Sequence, residues 1–408
     1  MEILKILLNI IEAVVFIYLA IAAVYFLFFS FIGVFPYRRK TFSAPALRKM
    51  AVLIPGYKED IVILEVAEAS LKQSYPSSHF DVVIVADSFK PETISALKKL
   101  PLKLVEVVFE KSTKSKSLNA AMTAIGDEYD IAVVLDADNI MDYHFLEKIN
   151  QAFEAGYPAV QGHRMAKNMN NSMAVLDSIS EEINNHIFRK GHRVAGLASG
   201  LIGSGMAFQY RMFKKRMSEI QAIGGFDKEL ELTMLRDGIK IEYIEDAVVL
   251  DEKVQDKAVF ENQRRRWLAA QFIYFRRFAW DGLVQFITRL NVDFLDKVYQ
   301  MVMPPRILLL GIVTILTSLM GLVSLIDYSS VKGFFLFSFF NWFVIWMFVV
   351  LAFVFSVNRK FYTKQTLHAI MTLPMGFWLM FRLLFRLKGA NKVFIHTQHG
   401  VIKESSGK

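Results

Sequence analysis

The chain has 408 residues, 54% of them hydrophobic, with 36 phenylalanines, 18 methionines and no cysteine. Absence of cysteine excludes disulfides, thiolate catalysis and Cys-ligated metals, and the apolar excess, gathered toward both ends, implies a soluble middle held at a membrane. A formal charge of +9 selects nucleic acid, anionic lipid or a phosphorylated substrate, and because the basic residues track the edges of apolar segments rather than one soluble face, nucleic acid is not expected.

The first element is the apolar run 3–35, far longer than a signal-peptide core and without a small-residue cleavage site, so it reads as a membrane-spanning helix. Its exit, PYRRK at 36–40, is basic, which by the positive-inside rule puts the following residues in the cytosol. Glu12 is its one internal acid, expected at the interface near the N-terminus. Residues 1–40 therefore form an anchor and 41–290 a cytosolic domain.

In that domain β-rich runs alternate with helical patterns: MAVLIPGY, a helix near 60–73, FDVVIVADS, a helix near 92–99, LKLVEVV, a helix near 115–125, then IAVVLDADN. Such alternation predicts βαβ units and a mostly parallel sheet in an α/β fold, with ligands at the carboxyl ends of the strands. The first strand closes on Pro55, Gly56, Tyr57, Lys58 and Glu59, the second on Asp87 and Ser88. The last closes on Asp136 and Asp138, which share a side if the strand persists through them; two carboxylates there suit Mg2+ or Mn2+ on a nucleotide diphosphate, although a solvated acidic turn has the same pattern. Lys114 and Asn119 open a helix under the same crevice; taken alone the stretch reads as a solvated basic helix start, although a helix start also favours anions.

Residues 291–408 carry two further spans, about 307–326 and 333–357. A last apolar piece, 366–388, holds Pro374 and two arginines near its end; it either spans or lies in the interface as an amphipathic or re-entrant element.

With these residues assembled, the chain resembles the membrane-integrated inverting glycosyltransferases of family 2, the group of cellulose, hyaluronan, chitin and poly-N-acetylglucosamine synthases. The likeness runs from about 50 to 270. PGYKE, with Pro55, Tyr57 and Glu59, matches a nucleotide-contacting strand end, and Asp87 matches a base contact. Lys114 with Asn119 matches the family's GK…LN segment, with Thr113 in place of the usual glycine; DAD matches the D-x-D metal motif; Gln263, Arg266 and Trp267 spell Q-x-x-R-W.

The resemblance implies a GT-A-type Rossmann-like domain inserted between transmembrane helices, a UDP-sugar donor and a Mg2+ or Mn2+ cofactor held by Asp136 and Asp138. It makes Arg266 the group that aids the leaving phosphate and Trp267 the platform under the acceptor sugar, and leaves Arg264 and Arg265 to headgroups or catalysis. The general base, counted back from Gly238, falls on Asp227, with Glu229 or Glu231 as alternatives because Phe226 breaks the usual acidic doublet. Gly203, Ser204 and Gly205 look like the small-residue segment lining the acceptor pocket, or a tight turn. KVFIHTQH, at 392–399, resembles a gating loop through Phe394 and Thr397; such a loop must be cytosolic, which favours the interfacial reading of 366–388.

The implied activity is inverting transfer to a growing polysaccharide at the bacterial inner membrane, by a multi-pass protein in contact with lipid. Transfer to a lipid-linked acceptor is the alternative, and an inactive transferase serving as a scaffold or transporter the non-enzyme one. Three helices are few for a private conduit, so polymer export calls for a homo-oligomer or an export partner.

Overall fold

The computed structural model describes residues 2–39, 42, 45–220, 224–255, 257–325, 335–387 and 400. Eight strands, β1 (Met50–Tyr57), β2 (Phe80–Asp87), β3 (Lys103–Val107), β4 (Ile131–Val134), β5 (Ile140–Met141), β6 (Ala159–Ala166), β7 (Met206–Gln209) and β8 (Ile241–Asp251), form one sheet in the order β3-β2-β1-β4-β7-β6-β8-β5. The first four pair in parallel; β7 runs antiparallel between β4 and β6, and β8 returns parallel to β6. It is a mixed α/β sheet.

Alternation explains why the early strands read as unbroken apolar runs. Ala51 and Leu53 of β1 join one hydrophobic cluster while Met50, Val52 and Ile54 join the cluster on the other face. A sheet covered on both sides needs apolar residues at every position.

Helices Glu2–Ile32, Arg306–Leu325 and Phe339–Ser356 are long and apolar enough to cross a membrane. They pack together with helix Ser172–Asn184 and the π-helical turn Asn185–Gly191 of the α/β domain. The approach is close: a Cβ at Gly191 would collide with the Phe29 carbonyl. Glu12 lies a third of the way into the first helix rather than at its end, and its carboxylate accepts the backbone N–H groups of Leu336 and Phe337 at 2.8 and 3.2 Å. That pairing satisfies an acid that would otherwise be costly among apolar side chains.

The expected element 366–388 is two helices, Lys364–Ile370 and Leu373–Leu384, bent by 42°. Pro374 at the start of the second prevents a continuous helix. Both ends of the pair touch the α/β domain. Gln365 donates to the Met169 carbonyl at 2.7 Å, and the Arg386 carbonyl accepts from Arg265 Nε at 2.6 Å.

Candidate active site

A cavity of about 1020 Å³ opens at the carboxyl ends of β1, β2 and β4 and continues between the apolar helices. Its polar end is built from Pro55, Tyr57, Glu59, Asp87, Lys114, Asp136 and Asp138. Two strand ends carry left-handed non-glycine residues, Lys58 (φ 55°) and Ser88 (φ 59°). Each such residue costs on the order of 1–3 kcal/mol, and the cost is borne where the backbone turns into the site. Asp87 is fully buried; Oδ1 accepts from the Ser88 hydroxyl at 2.9 Å, while Oδ2 has no partner among the described residues. An unpaired buried carboxylate oxygen is a costly feature that a bound hydrogen-bond donor would relieve.

Strand β4 ends at Val134, so Asp136 and Asp138 do not share a strand face as alternation predicts; Asp138 sits in the turn before β5. The turn nevertheless brings the two together with a third acid, Asp251 at the end of β8, with ligand oxygens within 4.8 Å of one another. This trio has the donor chemistry for Mg2+ or Mn2+, hard ions that prefer carboxylate oxygen. A positive group already seeks it, since Lys114 Nζ pairs with Asp136 Oδ1 and donates to the Gly203 carbonyl at 2.6 Å. Asp251 is not among the residues the sequence motifs single out. Its signal, an acid closing an apolar strand, becomes decisive only once sheet order sets β8 beside β6.

A hydrogen-bond chain fixes the acids. The Asp136 N–H donates to the Ser204 hydroxyl at 2.9 Å, that hydroxyl donates to Asn139 Oδ1, and Asn139 Nδ2 donates to Asp138 at 3.2 Å and Asp251 at 3.0 Å. Ser204 is thus a support beneath the carboxylates, not a lining residue of an acceptor pocket. Gly205 (φ 62°) also lies behind the wall, its carbonyl accepting from Gly162 N at 2.7 Å; of the three small residues only Gly203 (φ 85°) faces the cavity.

Beyond Asp251 the buried charges interlock. Lys253 Nζ lies 2.7 Å from Asp251, Arg164 lies 2.8 Å from Glu181, and Arg189 lies 3.5 Å from the other Glu181 oxygen. Burial alone would raise the Glu181 pKa, but Arg164, Lys253 and Arg189 outweigh it and hold the carboxyl well below the usual range. Asp251 is likewise lowered, burial being overcome by Arg164 and Lys253.

Asp227 lies in the first turn of helix Phe226–Arg236 and faces the cavity across from Gly203, where an added Cβ would stand 3.7 Å from Asp227 Oδ2. The alternative acids are otherwise engaged. Glu229 is buried against Arg277 at 2.5 Å and does not line the cavity; Glu231 is paired with Lys297 at 2.7 Å and caps the Leu201 N–H at 3.2 Å. Asn119 does not reach the crevice: its amide donates to the Met217 carbonyl at 2.9 Å, tying helix Lys114–Ile125 to helix Tyr210–Glu219.

Helix Lys257–Arg289 brings Gln263, Arg266 and Trp267 to the cavity wall, as i, i+3, i+4 spacing allows. Burial pushes the Arg266 guanidinium pKa down. Arg264 lines the cavity: it pairs with Asp177 and lies 4.6 Å from the Trp267 ring centre. Arg265 points to the other side, onto the Arg386 carbonyl. Phe394 and Thr397 lie outside the described residues.

Residues 45–270 match the family model described as Glycosyltransferase like family 2. A probable glycosyltransferase, YdaM, of Bacillus subtilis (strain 168) is 24% identical over 240 residues, 54% of this chain and 54% of that protein. Glucans biosynthesis glucosyltransferase H of Nitrosomonas europaea is 25% identical over 161 residues, 35% of this chain and 19% of that one. The chain therefore spans about half the length, or less, of these curated relatives. Among solved structures, a mannosyltransferase of Pyrobaculum calidifontis in complex with GDP-Man and Mn2+ superposes with TM-score 0.46 at 17% identity, covering 82% of this chain and 98% of that one.

Proposed function

The chain belongs to glycosyltransferase-like family 2, its model covering residues 45–270, and from that premise we propose that it moves a sugar from a nucleotide diphosphate, expected to be UDP, to an acceptor presented at the membrane, with inversion at the anomeric carbon. The observation that carries this reading is the meeting of Asp136, Asp138 and Asp251 in one cavity with Lys114 and Asp227.

Asp87, Tyr57 and Glu59 would receive the nucleoside end of the donor, and Asp136, Asp138 and Asp251 would hold Mg2+ or Mn2+. A bound ion of that kind supplies Lewis-acid stabilisation of the diphosphate. Asp227 accepts the proton of the acceptor hydroxyl as its oxygen attacks the anomeric carbon from the face opposite the diphosphate. The bond from that carbon to the diphosphate oxygen breaks, and Lys114 and Arg266 meet the negative charge that develops there. Trp267 offers the acceptor sugar an apolar face.

For the acceptor, aliphatic walls in the deep half of the cavity favour a lipid-linked sugar. Extension of a growing polysaccharide is the second reading, supported by the Q-x-x-R-W pattern of Gln263, Arg266 and Trp267. The topology proposed with either is multi-pass in the bacterial inner membrane, with the α/β domain in the cytosol; contact of both ends of the bent pair with that domain supports a last element that does not cross. The test is sugar transfer by the purified full-length protein from a panel of radiolabelled UDP-sugars, with Mn2+ and with chelator. Metal-dependent transfer from one donor is expected, and no transfer with any donor together with no metal-dependent UDP binding would refute the reading.

A further inference from the structure

The cavity changes character along its length. Past Asp227 and Trp267 its walls become aliphatic and aromatic, with Leu310, Val350, Phe353, Leu373, Leu379 and Met380 supplied by the apolar helices and the bent pair. Where the two halves meet stands Arg306, first residue of the apolar helix Arg306–Leu325. Its Nη2 donates to the carbonyl and hydroxyl of Ser180, each at 3.1 Å, and its Nη1 is buried with no partner among the described residues. The neighbouring acids are already committed, Asp177 to Arg264 and Glu181 to Arg164, Arg189 and Lys253.

A guanidinium at the rim of an apolar cavity, hydrogen-bonded only to neutral groups, carries a cost of desolvation that the Glu181 carboxylate, shared with Arg164, Arg189 and Lys253, offsets only in part. Removing that cost needs an oxyanion, and the guanidinium fork matches phosphate. An anion belonging to a free solute would leave the apolar half without a reason, whereas a phosphate joined to a long hydrocarbon fills both.

Resting on the transferase reading above, we propose that the acceptor is carried on a lipid phosphate: Arg306, assisted by Arg264, binds the phosphate, and the hydrocarbon chain occupies the cavity between the apolar helices, so that the sugar on that carrier lies at Asp227. The same chain placement explains why the deep walls are aliphatic rather than polar.

The test uses the full-length protein in maltoside micelles, free of phospholipid, with three probes: a radiolabelled long-chain polyprenyl monophosphate, the matching polyprenol, and UDP with Mn2+. The monophosphate is expected to be retained about tenfold more tightly than the alcohol, in keeping with a charge-assisted hydrogen bond. Arg306→Gln removes that preference while UDP binding stays at the wild-type level, and Arg306→Lys restores part of it. Val350→Trp, which fills the apolar half, weakens both lipids alike and guards against a misfolded Arg306 variant. Equal retention of monophosphate and alcohol, or an Arg306→Gln variant that binds as wild type does, would overturn the proposal. So would displacement of the lipid by millimolar inorganic phosphate alone, which would mark a free-phosphate site. Lack of UDP binding by the wild type would instead refute the transferase reading, leaving the lipid result to stand by itself.

Discussion

Three acids in one short helix illustrate how environment divides roles among like residues. Asp227 faces the cavity, Glu229 is locked to Arg277, and Glu231 holds Lys297 and the Leu201 amide. Asp227→Asn is expected to lower transfer by roughly 10²–10⁴-fold, the range for removal of a general base, while donor binding with metal is retained. Glu229→Gln should keep turnover within a few-fold and lower thermal stability, since Arg277 and Tyr274 lose their partner; a transfer assay beside a thermal melt separates the two. Glu181 adds a pH signature. Its folded pKa lies below the unfolded value of about 4.3, so its stabilisation is complete above that pH and is lost as pH falls through the folded value. Denaturation midpoints of wild type and Glu181→Gln should therefore differ by a constant amount from pH 7 to about pH 5 and converge only in acid below pH 4. Most of the residue-level site was legible because apolar strands end in polar clusters, and a strand end is where an α/β sheet binds. Asn119 was misplaced because five residues along a helix of 3.6 per turn put it about 140° around the axis from Lys114.

At the level of elements, β8 shows what a linear reading misses. Asp251 is 113 residues beyond Asp138 and joins it only because β8 lies in parallel beside β6 and next to β5. Its replacement by Asn should raise the Mn2+ concentration for half-maximal transfer about 10–100-fold if it is a ligand or orients one. It should also lower the melting temperature, since Lys253 and Arg164 lose a buried partner. An unchanged metal requirement with only the stability loss would reduce Asp251 to a structural role. Gly203 is a second element-level case: with φ at 85°, its replacement by Ala forces a left-handed alanine, at a cost of about 1–2 kcal/mol, and brings a methyl toward Asp227. The first three strands were readable to within a residue or two because a covered sheet writes itself as continuous apolar runs, whereas β4 stops at Val134, five residues before the end of the run IAVVLDADN. Antiparallel β7, four residues long, has no such signature.

For the whole molecule, apolar length alone located the three long apolar helices among the described residues, while the bent pair needed tertiary contacts to describe. The chain's lack of cysteine makes its arrangement measurable with single introduced thiols. Tyr362 and Phe385, at the two ends of the bent pair, are 64% and 76% exposed. If the pair does not cross, Tyr362→Cys and Phe385→Cys will react with an impermeant maleimide from the same side as Ser78→Cys in the α/β domain; opposite labelling would make it a fourth span. The proposed function places a metal-bound donor and a membrane-held acceptor together at Asp227, in one cavity. The most direct test is transfer of radiolabelled sugar to lipid extract by full-length wild type and Asp227→Asn, with Mn2+ and a panel of UDP-sugars. The account predicts labelled product from one donor with the wild type, none with chelator and almost none with the variant, although both proteins bind UDP with Mn2+. Equal product from both proteins would contradict it.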